Sequence, residues 1–264
     1  MTTRTYDIVI WGATGFTGRL VMAYMAKTYG VDGEIKWAVA GRNAAKLADV
    51  KREILGADAE NLPEVVADSN DEASLRKLVS DTKVVCTTVG PYALYGSTLV
   101  ALCAELGTHY CDLTGEVQWM RQMIEAHQAT AEASGAKIVH TCGFDSIPSD
   151  LGTYFVQGEM HKAHGVYAPR VKYRVVGSKG GVSGGTVASM MNMMEEANAN
   201  PEILDVIADP YALNPLNTPR GDDGADQTTA EYDKDFRQWT GPFVMASINT
   251  RVVRRSHALL GYPW

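Results

Sequence analysis

The chain has 264 residues, 45% of them hydrophobic and 21% charged, the balance of an ordinary globular protein with room for one large or two modest domains. A net charge of −7 argues against nucleic acid as a partner, because a phosphate backbone calls for a basic face. No apolar run reaches membrane-spanning length and the first residues lack the pattern of a secretory leader, so a cytoplasmic protein without a transmembrane segment is expected, with peripheral lipid contact left open.

In chain order, the first half alternates strand and helix. Apolar strands are predicted at 6–11, 35–40, 64–67, 83–89, 108–112 and 137–141. Helices are predicted at 16–29, 43–55, 71–80, 96–106, 117–134 and from about 148, by the period of their apolar residues. In the first helix Leu20, Val21, Tyr24 and Met25 read as the buried stripe. Ser97 reads as the cap of the helix from 96, and Gly107 as its stop. Such units require right-handed crossovers, hence a doubly wound parallel α/β sheet of Rossmann type over residues 1–150.

Beyond about residue 165 the rhythm changes. Residues 171–176 alternate apolar and polar as a half-exposed strand does. A glycine-rich loop follows (Gly177, Gly180, Gly181, Gly184, Gly185), then a helix at about 186–198. A stretch with five prolines, 199–242, reads as irregular, and a last helix runs from 243 to about 260. Residues 151–264 are expected to form a second, smaller α+β domain.

The first strand ends in Gly12-Ala13-Thr14-Gly15-Phe16-Thr17-Gly18 and runs into a helix. This glycine spacing between strand and helix suits a dinucleotide pyrophosphate: a tight turn, close backbone approach, and close strand–helix packing. The helix then directs its positive N-terminal end at the phosphates. The second strand ends in Gly41-Arg42, with Lys46 one turn on. An NAD site would usually place a carboxylate there for the ribose 2′-hydroxyl; two cations instead suit a 2′-phosphate. NADP(H) is the expected cofactor.

Three more segments follow strand ends, where ligands bind in open α/β sheets. They are Val89-Gly90-Pro91-Tyr92, Asp112-Leu113-Thr114-Gly115-Glu116, and Cys142-Gly143-Phe144-Asp145-Ser146-Ile147-Pro148. Tyr92 could supply a hydrogen bond or a proton, or simply pack as a buried aromatic. Asp145 could donate a proton or orient the substrate if its pKa is raised, or accept backbone N–H groups at a helix start capped by Ser146. Cys142 has no assigned base and reads as a buried small hydrophobe. Cys86, Cys103 and Cys111 read as free thiols too, and no metal site is expected, since neither C-x-x-C nor paired histidine spacing occurs. No tyrosine is followed four positions later by lysine, so the proton-transfer pair of short-chain dehydrogenases is absent.

Met190, Met191, Met193 and Met194 offer either an adaptable wall for an acyl chain or ordinary packing. Lys179 could meet an anion or lie in solvent. Arg251, Arg254 and Arg255 could contact an acidic carrier or complement their helix dipole.

Taken together, YDIVIWGATGFTG, AVAGR, VGPYALYG, CDLTGE, HTCGFDSIPSDLG and GGVSGGTVASM resemble the saccharopine dehydrogenase-like oxidoreductases. The nearest resemblance is to the branch that includes trans-acting enoyl reductases of bacterial lipid and polyketide assembly. It runs along nearly the whole chain. It implies an NADP-binding Rossmann domain joined to an α+β substrate and dimerisation domain, with Val89–Tyr92 bordering the nicotinamide ribose and ring; Gly143 is a further candidate cofactor contact. It further implies hydride transfer from NADPH to the C=C bond of an enoyl thioester or lipid-like substrate, which could be carrier-bound, in a homodimer. A saccharopine-type imine or amino-acid substrate, or a non-catalytic NADP-binding scaffold, are the alternatives. Relatives are expected to continue well past Gly261-Tyr262-Pro263-Trp264, leaving the second domain C-terminally truncated here and the activity of this chain by itself an open matter.

Overall fold

A computed structural model describes residues 4–177, 179–181 and 183–264; Ser178 and Val182, in the expected glycine-rich loop, lie outside the described residues. By internal contacts the chain falls into two units. The first comprises 1–114, 122–140 and 182–192, and the second 115–121, 141–181 and 193–264.

The first unit is built on parallel strands β1 (Tyr6–Trp11), β2 (Trp37–Gly41), β3 (Glu64–Val66), β4 (Thr82–Thr87), β5 (His109–Cys111) and β6 (Ile138–Val139). Their order is β3-β2-β1-β4-β5-β6, so the direction of travel reverses between β1 and β4, as in a doubly wound nucleotide-binding sheet. The connecting helices are α1 (Phe16–Tyr29), α2 (Ala44–Leu55), α3 (Glu72–Ser80), the short α4 (Tyr92–Tyr95), α5 (Ser97–Leu106) and α6 (Val117–Ser134). Right-handed crossovers on either side of the reversal send the helices to opposite faces; α1 packs with α2, and α3 with α5.

Ile10, Met22, Met25, Trp37, Val39, Leu47, Val50 and Leu62 form one core cluster, each large side chain stabilising by about 1.5–3 kcal/mol. The Trp37 indole donates to the Gly30 carbonyl at 2.8 Å, so its one polar group is satisfied inside the core. The buried face of α1 differs from the expected one. Gly18, Met22 and Met25 are buried, while Leu20 and Tyr24 are exposed by 57% and 59%. Close seating of Gly18 on the strand–helix turn sets the helix rotation. Gly107 ends α5 in the left-handed conformation (φ 67°) as expected, whereas Gly96, not Ser97, occupies its N-cap position.

The second unit contains α7 (Ile147–His164), the later part of α8 (Gly184–Ala199), α9 (Glu202–Ala208), a two-stranded antiparallel hairpin β7 (Glu231–Asp233) and β8 (Gln238–Thr240), and α10 (Ala246–Leu259). α7 packs against α10. Residues 171–176 do not join a sheet. Their charged side chains meet the hairpin instead: Lys172 and Arg174 bond Asp233 at 2.8 and 2.9 Å, and the preceding Arg170 bonds Asp235 at 3.0 Å. A strand needs a backbone partner, and side-chain pairing fixes this segment without one. No described helix is long and apolar enough to cross a membrane.

Candidate functional site

At the carboxyl end of β1 the chain turns on Gly12, whose φ of +90° suits glycine. A Cβ there would meet Val89 Cγ2 at 2.6 Å and Thr88 Oγ1 at 2.9 Å, so the turn abuts the loop after β4. The Thr88 amide also donates to the Trp11 carbonyl at 2.9 Å. Gly18 sits closer still, its would-be Cβ 2.3 Å from the Gly12 carbonyl oxygen.

The amides of Gly12 and Ala13 donate to the Ala40 carbonyl, and that of Gly15 to Gly12. Helix geometry leaves the N–H groups of Phe16, Thr17 and Gly18 without intrahelical acceptors. No side chain caps α1 and no acid lies in its first turn. Gly15 is exposed, and a Cβ on it would meet only the Gly12 oxygen, at 3.3 Å. An anion can therefore approach the backbone here, as a pyrophosphate requires.

Gly41 ends β2, and Arg42 and Lys46 are exposed. Asn43 caps α2 through the Lys46 amide at 2.9 Å. Among the described residues no carboxylate pairs with Arg42 or Lys46, and the first turn of α2 holds no acid. The donor set fits a ribose 2′-phosphate, so the residues present suit NADP(H).

The other half of the sheet's carboxyl edge carries a second cluster. After β4, Gly90 and Pro91 lead into Tyr92, which is 4% exposed. Its hydroxyl donates to the Thr87 carbonyl and accepts from the Leu113 amide, both at 3.4 Å. After β5, the Asp112 side chain is fully buried. It accepts from the Tyr110 hydroxyl at 2.9 Å and the Thr114 amide at 3.1 Å, and meets His140 Nδ1 at 2.6 Å. Burial and the Asp112 carboxylate push the Tyr110 phenol well above its ordinary value, keeping it a donor. His140 was not singled out in the sequence; the signal was there, because Asp112 and His140 sit at the ends of neighbouring predicted strands.

Gly143 and Asp145 fall in the second unit, on the turn before α7. Asp145 is half-buried. Ser146 occupies the N-cap position but its hydroxyl donates to Asn249 Oδ1 at 2.9 Å and makes no cap bond. Cys142 is exposed, not buried; Cys103 is buried and Cys86 and Cys111 are intermediate, all as free thiols. Hydrogen bonding to Cys86 and burial push the Cys111 thiol up.

The arginines of α10 are engaged internally. Arg251, 3% exposed, pairs with Asp226 and donates to the Ile207 and Ala208 carbonyls at 3.0 and 3.2 Å. Arg254 bonds Pro210 O at 3.2 Å, and Arg255 Leu213 O at 2.6 Å. They hold the end of α9 and the loop after it. Lys179 is exposed, and no residue of α8 is buried, so its methionines are not core.

A Mycobacterium tuberculosis protein is 40% identical over 275 residues, covering 100% of this chain and 63% of the relative. A trans-acting enoyl reductase of Mycobacterium leprae is 38% identical over 268 residues, covering 99% of this chain and 63% of its own. The chain thus spans about 63% of the length of these curated relatives. The saccharopine dehydrogenase (L-Glu forming) of Saccharomyces cerevisiae is 18% identical, covers 60% of this chain and 32% of its own, and has a TM-score of 0.48, too slight a likeness to carry an argument. The model of the saccharopine dehydrogenase NADP binding domain matches residues 8–139; the chain belongs to that family, and its cofactor is NADP(H).

Proposed function

We propose that this chain is the cofactor-binding portion, with part of the substrate portion, of an NADPH-dependent oxidoreductase that reduces the C=C bond of an enoyl thioester. The observation that carries this reading is 38% identity to a trans-acting enoyl reductase over 99% of the chain. The fit of the glycine turn and of Arg42 and Lys46 to NADP(H) supports it.

In this reading residues 1–150 hold the cofactor and 151–264 serve the substrate and a homodimer contact. Gly12, Ala13, Thr14, Gly15, Phe16, Thr17 and Gly18 shape the pyrophosphate turn, with the first-turn amides of α1 as its donors. Gly41, Arg42 and Lys46 take the 2′-phosphate. Val89, Gly90, Pro91 and Tyr92 border the nicotinamide nucleotide, Tyr92 fixing the loop through Thr87 and Leu113. Gly143 is a candidate cofactor contact, and Asp145 a candidate proton donor or orienting carboxylate. Met191 and Met194, exposed by 59% and 64% and three residues apart on α8, suit a flexible acyl chain.

When bound, NADPH supplies the hydride. The protein's part is to position the reacting carbon and stabilise the charge that develops on the thioester oxygen. The saccharopine-type alternative calls for cations facing substrate carboxylates, and Arg251, Arg254 and Arg255 are committed to their own chain. The test is NADPH oxidation followed at 340 nm with trans-2-octenoyl-CoA, crotonyl-CoA and an imino acid, alongside NADPH affinity. Turnover with the thioesters supports the reading; tight NADPH binding with turnover of the imino acid only refutes it.

A further inference from the structure

The Asp112–His140 pair at the carboxyl edge of the sheet has the construction of a proton-transfer dyad. Asp112 is the residue after β5 and His140 the residue after β6, on neighbouring parallel strands paired through Tyr110↔Ile138 and Cys111↔Val139. A buried carboxylate must be matched by donors, and Asp112 has the Tyr110 hydroxyl, the Thr114 amide and the His140 imidazole. The 2.6 Å contact to Nδ1 is the length of a charge-assisted bond. It places a proton on Nδ1, so the proton that His140 gains and loses is the one on Nε2. The Tyr110 ring packs edge-on to the imidazole at 5.8 Å, limiting its rotation. The next residue, Thr141, has a φ of 58°, which a β-branched residue rarely adopts.

The dyad lies on the β4–β6 side of the strand-order reversal. The glycine turn, Arg42 and Lys46 occupy the β1–β2 side, where the pyrophosphate and adenosine ribose bind, leaving the β4–β6 side to the nicotinamide nucleotide. We propose that His140, held by Asp112, is the proton donor of the reduction; this rests on the enoyl thioester reading above. Hydride from NADPH adds to the substrate β-carbon, and the electron pair of the C=C bond moves to the α-carbon and thioester oxygen as an enolate. The α-carbon then takes the Nε2 proton of the imidazolium. The N–H bond electrons stay on nitrogen, His140 is left neutral with Nδ1–H on Asp112, and water restores the proton. Asp112 is a positioning residue: it fixes the tautomer through its contact with Nδ1.

Two measurements on the whole chain test this. The first needs no turnover: ¹⁵N spectra of the neutral His140 ring, with and without NADP⁺. The wild type is expected to hold the proton on Nδ1 and to shift its Nε2 signal when NADP⁺ binds. Asp112→Asn is expected to lose the fixed tautomer. A ring protonated on Nε2 in the wild type, or a His140 indifferent to NADP⁺, overturns the proposal. The second uses trans-2-octenoyl-CoA in D₂O. The wild type is expected to place deuterium on one face of the α-carbon. His140→Gln is expected to turn over about 10²-fold more slowly, within the range of general acid catalysis, and to deuterate both faces, with NADPH affinity within threefold of wild type. Wild-type rate and one-face deuteration in His140→Gln, or loss of face selectivity in Asp145→Asn instead, overturns it. If the wild type turns over the imino acid and no enoyl thioester, the substrate reading fails, and with it the donor role built on it. The ring spectra then still decide whether the dyad exists and senses the cofactor.

Discussion

The α-carbon of Gly18 lies so close to the strand–helix turn that a Cβ on it would stand 2.3 Å from the carbonyl oxygen of Gly12 and 2.8 Å from the Ala13 Cα. Both obstacles are backbone, which cannot swing aside as a side chain can. Gly18→Ala is therefore expected to cost about 1–3 kcal/mol or more through overpacking. Gly41→Ala is the matched control: its Cβ would first meet the Leu47 side chain, at 3.6 Å, an ordinary contact. Urea unfolding of the two variants should show a large fall in midpoint for the first and less than about 1 kcal/mol for the second.

Arg42 is the residue proposed above to grip the ribose 2′-phosphate. A charge-assisted bond to the 2′-phosphate is worth roughly 1.5–3 kcal/mol, so Arg42→Ala should weaken NADPH binding about tenfold to a hundredfold. NADH affinity should stay unchanged. Fluorescence titration of both cofactors checks this, and an equal loss for the two would remove Arg42 from the site.

Arg251 is a structural cation. Its guanidinium, 3% exposed, serves Asp226 and the Ile207 and Ala208 carbonyls. Arg251→Met removes the cation of Asp226, which keeps only the Thr250 hydroxyl at 2.9 Å and is 20% exposed, and leaves the two carbonyls without this donor, at an expected cost of about 1–3 kcal/mol. Calorimetry should show a depressed melting temperature, with NADPH affinity retained in the folded fraction.

Asp150 and Asp233 carry opposite pH signatures. Burial pushes Asp150 above the ordinary value of 3.8, partly offset by the Ser256 hydroxyl at 3.0 Å. The folded chain binds that proton more tightly than the unfolded chain, so this group loses stability as pH rises from 3.8 through its folded value. Asp150→Asn should remove that loss and raise the urea midpoint at neutral pH. Hydrogen bonding to Lys172 holds Asp233 well below 3.8. Its contribution is present above that value and disappears as pH falls through the folded one. Asp233→Asn should lower the neutral midpoint and flatten the acid limb. Urea midpoints measured across the acid range distinguish the two.

Much of the first unit was legible because local signals agreed. Apolar runs gave β1, β2 and β4, and the helices between them fell within a residue or two of the expected bounds. The rotation of α1 was not legible, because Leu20, Val21, Met22, Tyr24 and Met25 leave several apolar faces. Contact between Gly18 and the turn chose among them. Residues 171–176 had the alternation of a strand, yet their charged side chains meet Asp233 and Asp235 some sixty residues later. Cys142 read as a buried thiol near a strand end and is exposed; β6 stops at Val139, two residues short of the expected end at 141.

Sequence alone determined the nucleotide-binding sheet, the glycine turn and the preference for NADP(H), because each depends on residue types at fixed local spacing. Tertiary structure alone decided that Asp112 and His140 meet, that Tyr92 is bonded to backbone, and that the arginines of α10 are spent inside the fold. Those facts depend on strand register and helix packing between residues far apart in the chain, and no local period encodes them.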